Sequence, residues 1–168
     1  QRLAADSDGA FDITVGPIVR LWRHARRTHQ LPAPAERSAA LRASGHAKLR
    51  LHAADRTVTL LEAGMALDFG GIAKGYAADA ALAVLRQHGF PRAMVAAGGD
   101  LALGGAPPGA AGWRIELAPF GGALTAPLVL VAADVAVSTS GDAEQFVEFD
   151  GVRYSHIVNP RTALGLTQ

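Results

Sequence analysis

The sequence predicts an α+β fold, antiparallel sheets with packed helices, and three observations predict it. Helical stretches are interrupted by short strand-like runs joined by tight turns, unlike the regular winding of a parallel sheet. An apolar period of the helical kind runs from Ile72 to His88 and stops at Gly89. The runs Gln145 to Phe149 and Val152 to Val158 are joined by Asp150-Gly151, a hairpin turn because glycine tolerates positive φ.

Taken in order, residues 1–5 read as the tail of a helix, stopped by the polar Asp6-Ser7-Asp8-Gly9. After Gly16-Pro17, Ile18, Val19, Leu21 and Trp22 precede the cations Arg23 to Arg27, the polarity that a helix dipole favours, and this helix ends before Pro32. A small amphipathic helix over 35–44 stops at Gly45. Strands at Lys48 to His52 and Thr57 to Leu61 flank the turn Ala54-Asp55-Arg56. In the 72–88 helix, Ile72, Tyr76, Ala80, Ala83 and Val84 fall on one face and are the expected core side. Further strands are predicted at Ala93 to Ala97, Trp113 to Leu117 and Leu128 to Val137, with the Gly/Pro/Ala stretch 104–112 as an exposed loop. No internal repeat is found.

With 168 residues, 49% apolar and 18% charged, the chain suits one folded domain. Its sixteen cations are scattered among fifteen carboxylates for a net charge of +1, leaving no basic stripe to track a phosphate backbone, so nucleic acid is not an expected partner. No apolar run reaches the roughly twenty residues of a membrane span, and no signal-peptide pattern opens the chain. The absence of cysteine removes disulfides, thiolate metal sites and cysteine nucleophiles, and leaves the redox compartment open. Lysine is confined to Lys48 and Lys74 in an Arg- and Ala-rich chain, which draws notice to each.

Three segments carry candidate chemistry. In Asp8-Gly9-Ala10-Phe11-Asp12-Ile13-Thr14-Val15-Gly16-Pro17, glycine and proline fix the backbone course, while Asp12 and Thr14 offer an acceptor and a hydroxyl to a ligand; an Asx-type turn before a helix explains the same residues. In Leu67-Asp68-Phe69-Gly70-Gly71-Ile72-Ala73-Lys74-Gly75-Tyr76, a glycine pair enters the helix. Backbone N–H groups, the positive helix end and Lys74 suit an anion such as a pyrophosphate, Asp68 suits a donor on the same ligand, and the Gly71 carbonyl suits a hard cation. The bland alternative is that Asp68 is a helix N-terminal acceptor and Lys74 a solvated side chain. The Asp-Phe-Gly triplet lacks the other signatures of a kinase. In the third segment, Ser138-Thr139-Ser140-Gly141-Asp142 has no nucleophile elbow, which argues against serine hydrolysis. Downstream, Tyr154, His156 and Val158 alternate onto one strand face just before Asn159-Pro160-Arg161; such a histidine is either a hydrogen-bonded structural residue or a base.

The order and wording of DGAFDITVGP, LDFGGIAKGYAAD, VAAGGD, STSGD and YSHIVNPRT resemble the FAD:protein FMN transferase (ApbE-like) family over essentially the whole chain. The resemblance implies a duplicated, T-fold-like α+β architecture with FAD in a cleft between sheets, residues 1–168 being the central part of one such domain. It implies Mg²⁺-dependent transfer of FMN from FAD to a threonine hydroxyl of an acceptor flavoprotein, a post-translational flavinylation that releases AMP. Ala10, Phe11, Asp12, Asp68, Lys74 and Val158 match FAD contacts, Gly71 the carbonyl that reaches magnesium, and His156 a histidine assisting the acceptor threonine. The resemblance also implies a periplasmic or periplasm-facing, inner-membrane-associated location.

Departures from the pattern accompany the match. Asn159 stands where the family has Asp, and Ala163 where it has Gly. The family's opening strand, its first aromatic and methionine cofactor contacts, and an Asp with a Thr four residues later that complete the metal site are expected outside residues 1–168. Since Mg²⁺ takes a carboxylate or two besides its waters and phosphates, the isolated chain is expected to be inactive or nearly so. The alternatives are a flavin-binding module without catalysis and hydrolysis of FAD to FMN and AMP.

Overall fold

A computed structural model describes residues 1–117, 128–140 and 145–167. In chain order its elements are α1 (Arg2–Asp6), α2 (Gly16–Thr28), α3 (Pro34–Arg42), a 3₁₀ turn (His46–Lys48), β1 (Leu49–His52), β2 (Thr57–Leu60), α4 (Ala73–Gln87), β3 (Met94–Ala97), β4 (Asp100–Leu103), β5 (Trp113–Leu117), β6 (Leu128–Ala132), β7 (Ala136–Val137), β8 (Phe146–Phe149), β9 (Val152–Asn159) and β10 (Leu164–Thr167). Every pairing of these strands is antiparallel, so the expected α+β class holds. The chain gathers into two compact units, a first of residues 1–69 with 141–168 and a second of residues 70–140.

The first unit is organised by α2. Its apolar residues Ile18, Trp22 and Ala25 recur at the spacing of one helical face and are buried, Pro17 opens the helix, and Arg26 and Arg27 close it. Against that face pack Ala40 of α3, Val147 of β8 and Ala163, with Phe149, Tyr154 and Val158 partly buried around them. Trp22 donates its indole N–H to the Ala163 carbonyl at 2.8 Å, and its ring lies 5.1 Å from that of Tyr154. The three-stranded sheet runs β10-β9-β8, and the β8–β9 turn is the expected one, with Asp150 at φ 49° and Gly151 at φ 75°. Strands β1 and β2 form the expected hairpin. Ala163 is fully buried at φ 55°, a left-handed conformation that a glycine adopts without strain. The departure from the family's glycine therefore leaves a methyl in the core at a strained backbone position.

In the second unit α4 packs on the sheet β3-β4-β7, while β5 and β6 pair separately. Helix α4 spans the expected residues, but its buried face is Ala78 and Leu82 against Ala102, and the expected core face is corrected accordingly: Tyr76 is 75% exposed and Val84 51%. Alanine-rich helices offer apolar positions on several sides, and here the seam lies where small side chains let helix and sheet approach. Strand β4 was not expected. It follows β3 through Gly98 and Gly99, at φ 55° and 96°, a turn that only glycine adopts readily at both positions. Strand β10 was likewise not expected. The single strand expected over 128–137 is two, broken at Asp134, whose φ is 54° and whose N–H donates to the Gly104 carbonyl at 3.0 Å.

Trp22→Phe leaves the buried Ala163 carbonyl without its donor, and is expected to lower stability by about 1–3 kcal/mol. Urea denaturation followed by circular dichroism measures this; an unchanged midpoint would show that the bond contributes nothing.

Candidate functional site

In the first unit, the Asp8–Pro17 segment is held by a buried carboxylate. Asp12, 8% exposed, accepts the Thr14 N–H at 2.8 Å and the Thr14 hydroxyl at 2.7 Å on Oδ1, and the His46 N–H at 2.8 Å on Oδ2. The Thr14 hydroxyl in turn accepts the Gly45 N–H at 2.7 Å. The loop is thereby tied to the turn between α3 and β1, and the Asp12 carboxylate is engaged within the protein. The imidazole Nδ1 of His46 lies 3.7 Å from the same carboxylate. Upstream, Asp8 and Gly9 turn the chain at φ 49° and 75°, leaving Ala10 exposed and Phe11 half-buried.

Two other segments meet this loop. The Asp68 N–H donates to the Ile13 carbonyl at 2.7 Å and Val15 bridges Ala66, so Ala66 to Asp68 runs beside Ile13 to Val15. This approach is possible because residue 16 is glycine: a Cβ there would lie 2.6 Å from the Ala66 carbonyl oxygen. The Asp68 carboxylate is 3.1 Å from the Arg23 guanidinium of α2. From the other side, Arg161 donates through Nη2 to the Asp8 carbonyl at 2.8 Å and also pairs with the Asp8 carboxylate. Asn159 accepts the Arg161 N–H at 2.8 Å through Oδ1, an atom that an aspartate in its place supplies equally well.

On β9, Val158 faces the core, while His156 is exposed. Its Nδ1 lies 3.1 Å from the Gln145 carbonyl oxygen. A carbonyl can only accept, so Nδ1 is the donor of this contact and Nε2 is the ring nitrogen turned away from it.

In the second unit, Lys74 occupies the first turn of α4. Its ammonium donates to the Gly98 carbonyl at 2.9 Å and lies 3.5 Å from Asp100 Oδ2, while Asp100 Oδ1 accepts the Ser138 hydroxyl at 2.7 Å. The lysine expected to be a solvated or ligand-facing group is thus connected to the β3–β4 turn. Gly71 lies exposed, two residues before the helix begins. Gly141 and Asp142 of the serine-rich segment lie outside the described residues. Asp68 belongs to the first unit, Gly71 and Lys74 to the second.

Sequence reasoning singles out Asp12, Asp68 and Lys74 but does not anticipate their partners His46, Arg23, Asp100 and Ser138. The motifs VAAGGD and STSGD contained two of these partners, and their paired glycines and hydroxyls were the available signal. Magnesium finds no fitting set here. Among the described residues no group of three or more His, Cys, Asp or Glu side chains could hold a metal, and one carbonyl at Gly71 falls short of what Mg²⁺ takes.

A model of the ApbE family matches residues 1–168. The chain belongs to the ApbE family. The relatives of this ApbE-family chain include proteins named FAD:protein FMN transferase. That from Treponema pallidum (strain Nichols) is 38% identical, covering 95% of this chain and 48% of the relative, and one from Klebsiella pneumoniae (strain 342) is 36% identical, covering 95% and 49%. Among solved structures, the Thermotoga maritima ApbE protein superposes with a TM-score of 0.82 at 34% identity, covering 98% of this chain and 53% of that one. The flavin transferase ApbE from Vibrio cholerae gives 0.84 at 32%, covering 98% and 52%. The chain spans about half the length of the curated relatives it matches.

Asp12→Asn keeps the size of the buried group but sets an amide N–H₂ against a backbone donor at Thr14 or His46. A loss of about 1–3 kcal/mol of stability is expected, read as a lowered urea midpoint; a wild-type midpoint would show that the carboxylate does not hold the loop.

Proposed function

We propose that this chain binds FAD and takes part in transferring its FMN moiety to a threonine hydroxyl of an acceptor flavoprotein, with release of AMP. The observation that carries the reading is the meeting of Asp8–Pro17, Ala66–Asp68 and Asn159–Arg161 through direct hydrogen bonds, in a chain that matches the ApbE family along its whole length. The names of the relatives support flavin transfer as the activity. A periplasmic location remains part of the proposal on family resemblance alone.

Within this reading each residue has a task suited to its chemistry. Asp12 acts by fixing the loop, so Ala10 and Phe11 meet the flavin nucleotide through backbone and ring. Asp68 accepts from a donor on FAD, Val158 offers an apolar contact, and Lys74 meets the negatively charged diphosphate bridge. In the transfer, the threonine oxygen forms a bond to the phosphorus of the FMN half, the bridging P–O bond breaks, and its electron pair leaves with AMP. His156 takes the threonine proton at Nε2, the ring atom not engaged by the Gln145 carbonyl. The resemblance gives the Gly71 carbonyl as one Mg²⁺ ligand, which the described residues do not by themselves complete into a site.

The test is titration of the chain with FAD, followed by assay for AMP with Mg²⁺ and a threonine-bearing acceptor. Lys74→Gln and Asp68→Asn are each expected to weaken FAD binding about tenfold. His156→Ala is expected to leave FAD binding intact and to slow by about 10²–10⁴ the low acceptor modification expected of the isolated chain. AMP formed without modified acceptor would mark the protein as an FAD pyrophosphatase, and FAD bound without AMP would mark a binding module. Wild-type affinity in both the Lys74 and Asp68 variants would overturn the FAD reading.

A further inference from the structure

Residues from three separate elements meet at one carboxylate in the second unit. Lys74 comes from the first turn of α4, Asp100 opens β4, and Ser138 follows β7 directly. The Asp100 carboxylate is divided between them: Oδ1 accepts the Ser138 hydroxyl at 2.7 Å, and Oδ2 stands 3.5 Å from Lys74 Nζ. The Gly98 carbonyl takes a second ammonium contact at 2.9 Å. Gly98 also makes room for the stem, since a Cβ at that residue would lie 3.1 Å from Lys74 Cδ.

We propose that Asp100, with Ser138 behind it, is a positioning residue that holds the Lys74 ammonium at a preset point for the diphosphate of the flavin nucleotide. This rests on the FAD reading above and adds two residues to it. A lysine carries a flexible four-carbon stem, and an anion that captures a wandering ammonium must immobilise it at the moment of binding. Here the immobilisation precedes the ligand. The ammonium has three donors, of which the Gly98 carbonyl takes one while the Asp100 carboxylate lies within ion-pair range, and a phosphate oxygen can take another. The Ser138 bond fixes the carboxylate plane, so that the carboxylate in turn fixes the lysine.

A purely structural role is a poor account of the same contacts. The Lys74 side chain is 48% exposed, and an ion pair so open to water stabilises a fold little. Removing the pair should therefore leave folding almost intact while loosening the lysine.

The experiment is FAD titration of the chain as wild type, Asp100→Asn, Ser138→Ala, Lys74→Gln and the double variant Lys74→Gln/Asp100→Asn, each with a thermal melt. Asp100→Asn is expected to weaken binding about fivefold and Ser138→Ala about twofold, and the double variant to bind no more weakly than Lys74→Gln alone. That non-additivity is a readout a merely structural residue would not give. Wild-type affinity in Asp100→Asn, or losses that multiply in the double variant, would overturn the proposal. If Lys74→Gln alone binds FAD normally, the lysine does not meet the diphosphate and the proposal is overturned; if the wild type binds none, the FAD reading is what fails, and a ligand-free measurement then decides the positioning role. Lys48 and Lys74 are the only lysines, so their ammonium groups are separable by nitrogen-15 NMR. Proton exchange at Lys74 is expected to quicken in Asp100→Asn and Ser138→Ala, and unchanged exchange in both variants would sink the inference whatever FAD does. Should Asp100→Asn fail to fold, Ser138→Ala carries the same two readouts.

Discussion

The buried carboxylate of Asp12 is the contact from which the rest of the first unit's site follows. A charged group removed from water is tolerated only where its oxygens are supplied with donors, and three are supplied at 2.7–2.8 Å. Because two of those donors are backbone N–H groups, the carboxylate fixes main-chain geometry rather than side chains. The loop then holds Ile13 to Val15 in a line against which Ala66 to Asp68 can lie, and glycine at residue 16 permits the approach. The family motif reads as a list of ligand contacts, yet its acid is foremost a fastening within the protein.

Much of the fold was written in local signals. Helix α2 and the hairpin around Asp150-Gly151 were legible because proline, terminal cations and a positive-φ turn act over a few residues. The buried side of α4 was not, because alanines populate its whole circumference and the choice belongs to the sheet it meets. Strand β4 was hidden by the glycines before it, read as motif when they were also a turn. The break at Asp134 depends on the distant Gly104 carbonyl, and no local pattern marks it. The site divides the same way: Asp12, Asp68 and Lys74 sit in recognisable wording, whereas Arg23, His46, Asp100 and Ser138 become their partners only through folding.

Three carboxylates of the motifs share a further trait. Asp12 accepts from backbone, Asp68 lies against Arg23, and Asp100 against Lys74 and Ser138. Each acid has a cation or a set of N–H or O–H donors beside it, which limits repulsion toward an anionic nucleotide. His156 differs, since its contact is with the Gln145 carbonyl, which orients the ring.

The indole of Trp22, set against Tyr154 and bonded to Ala163, has one counterpart elsewhere in the chain, Trp113, whose N–H donates to the Gly105 carbonyl at 3.1 Å. One lies in each compact unit. The protein thus carries its own pair of optical reporters: with either indole replaced, the remaining emission belongs to a single half of the molecule, and the melting of the two halves becomes separately visible without any added dye.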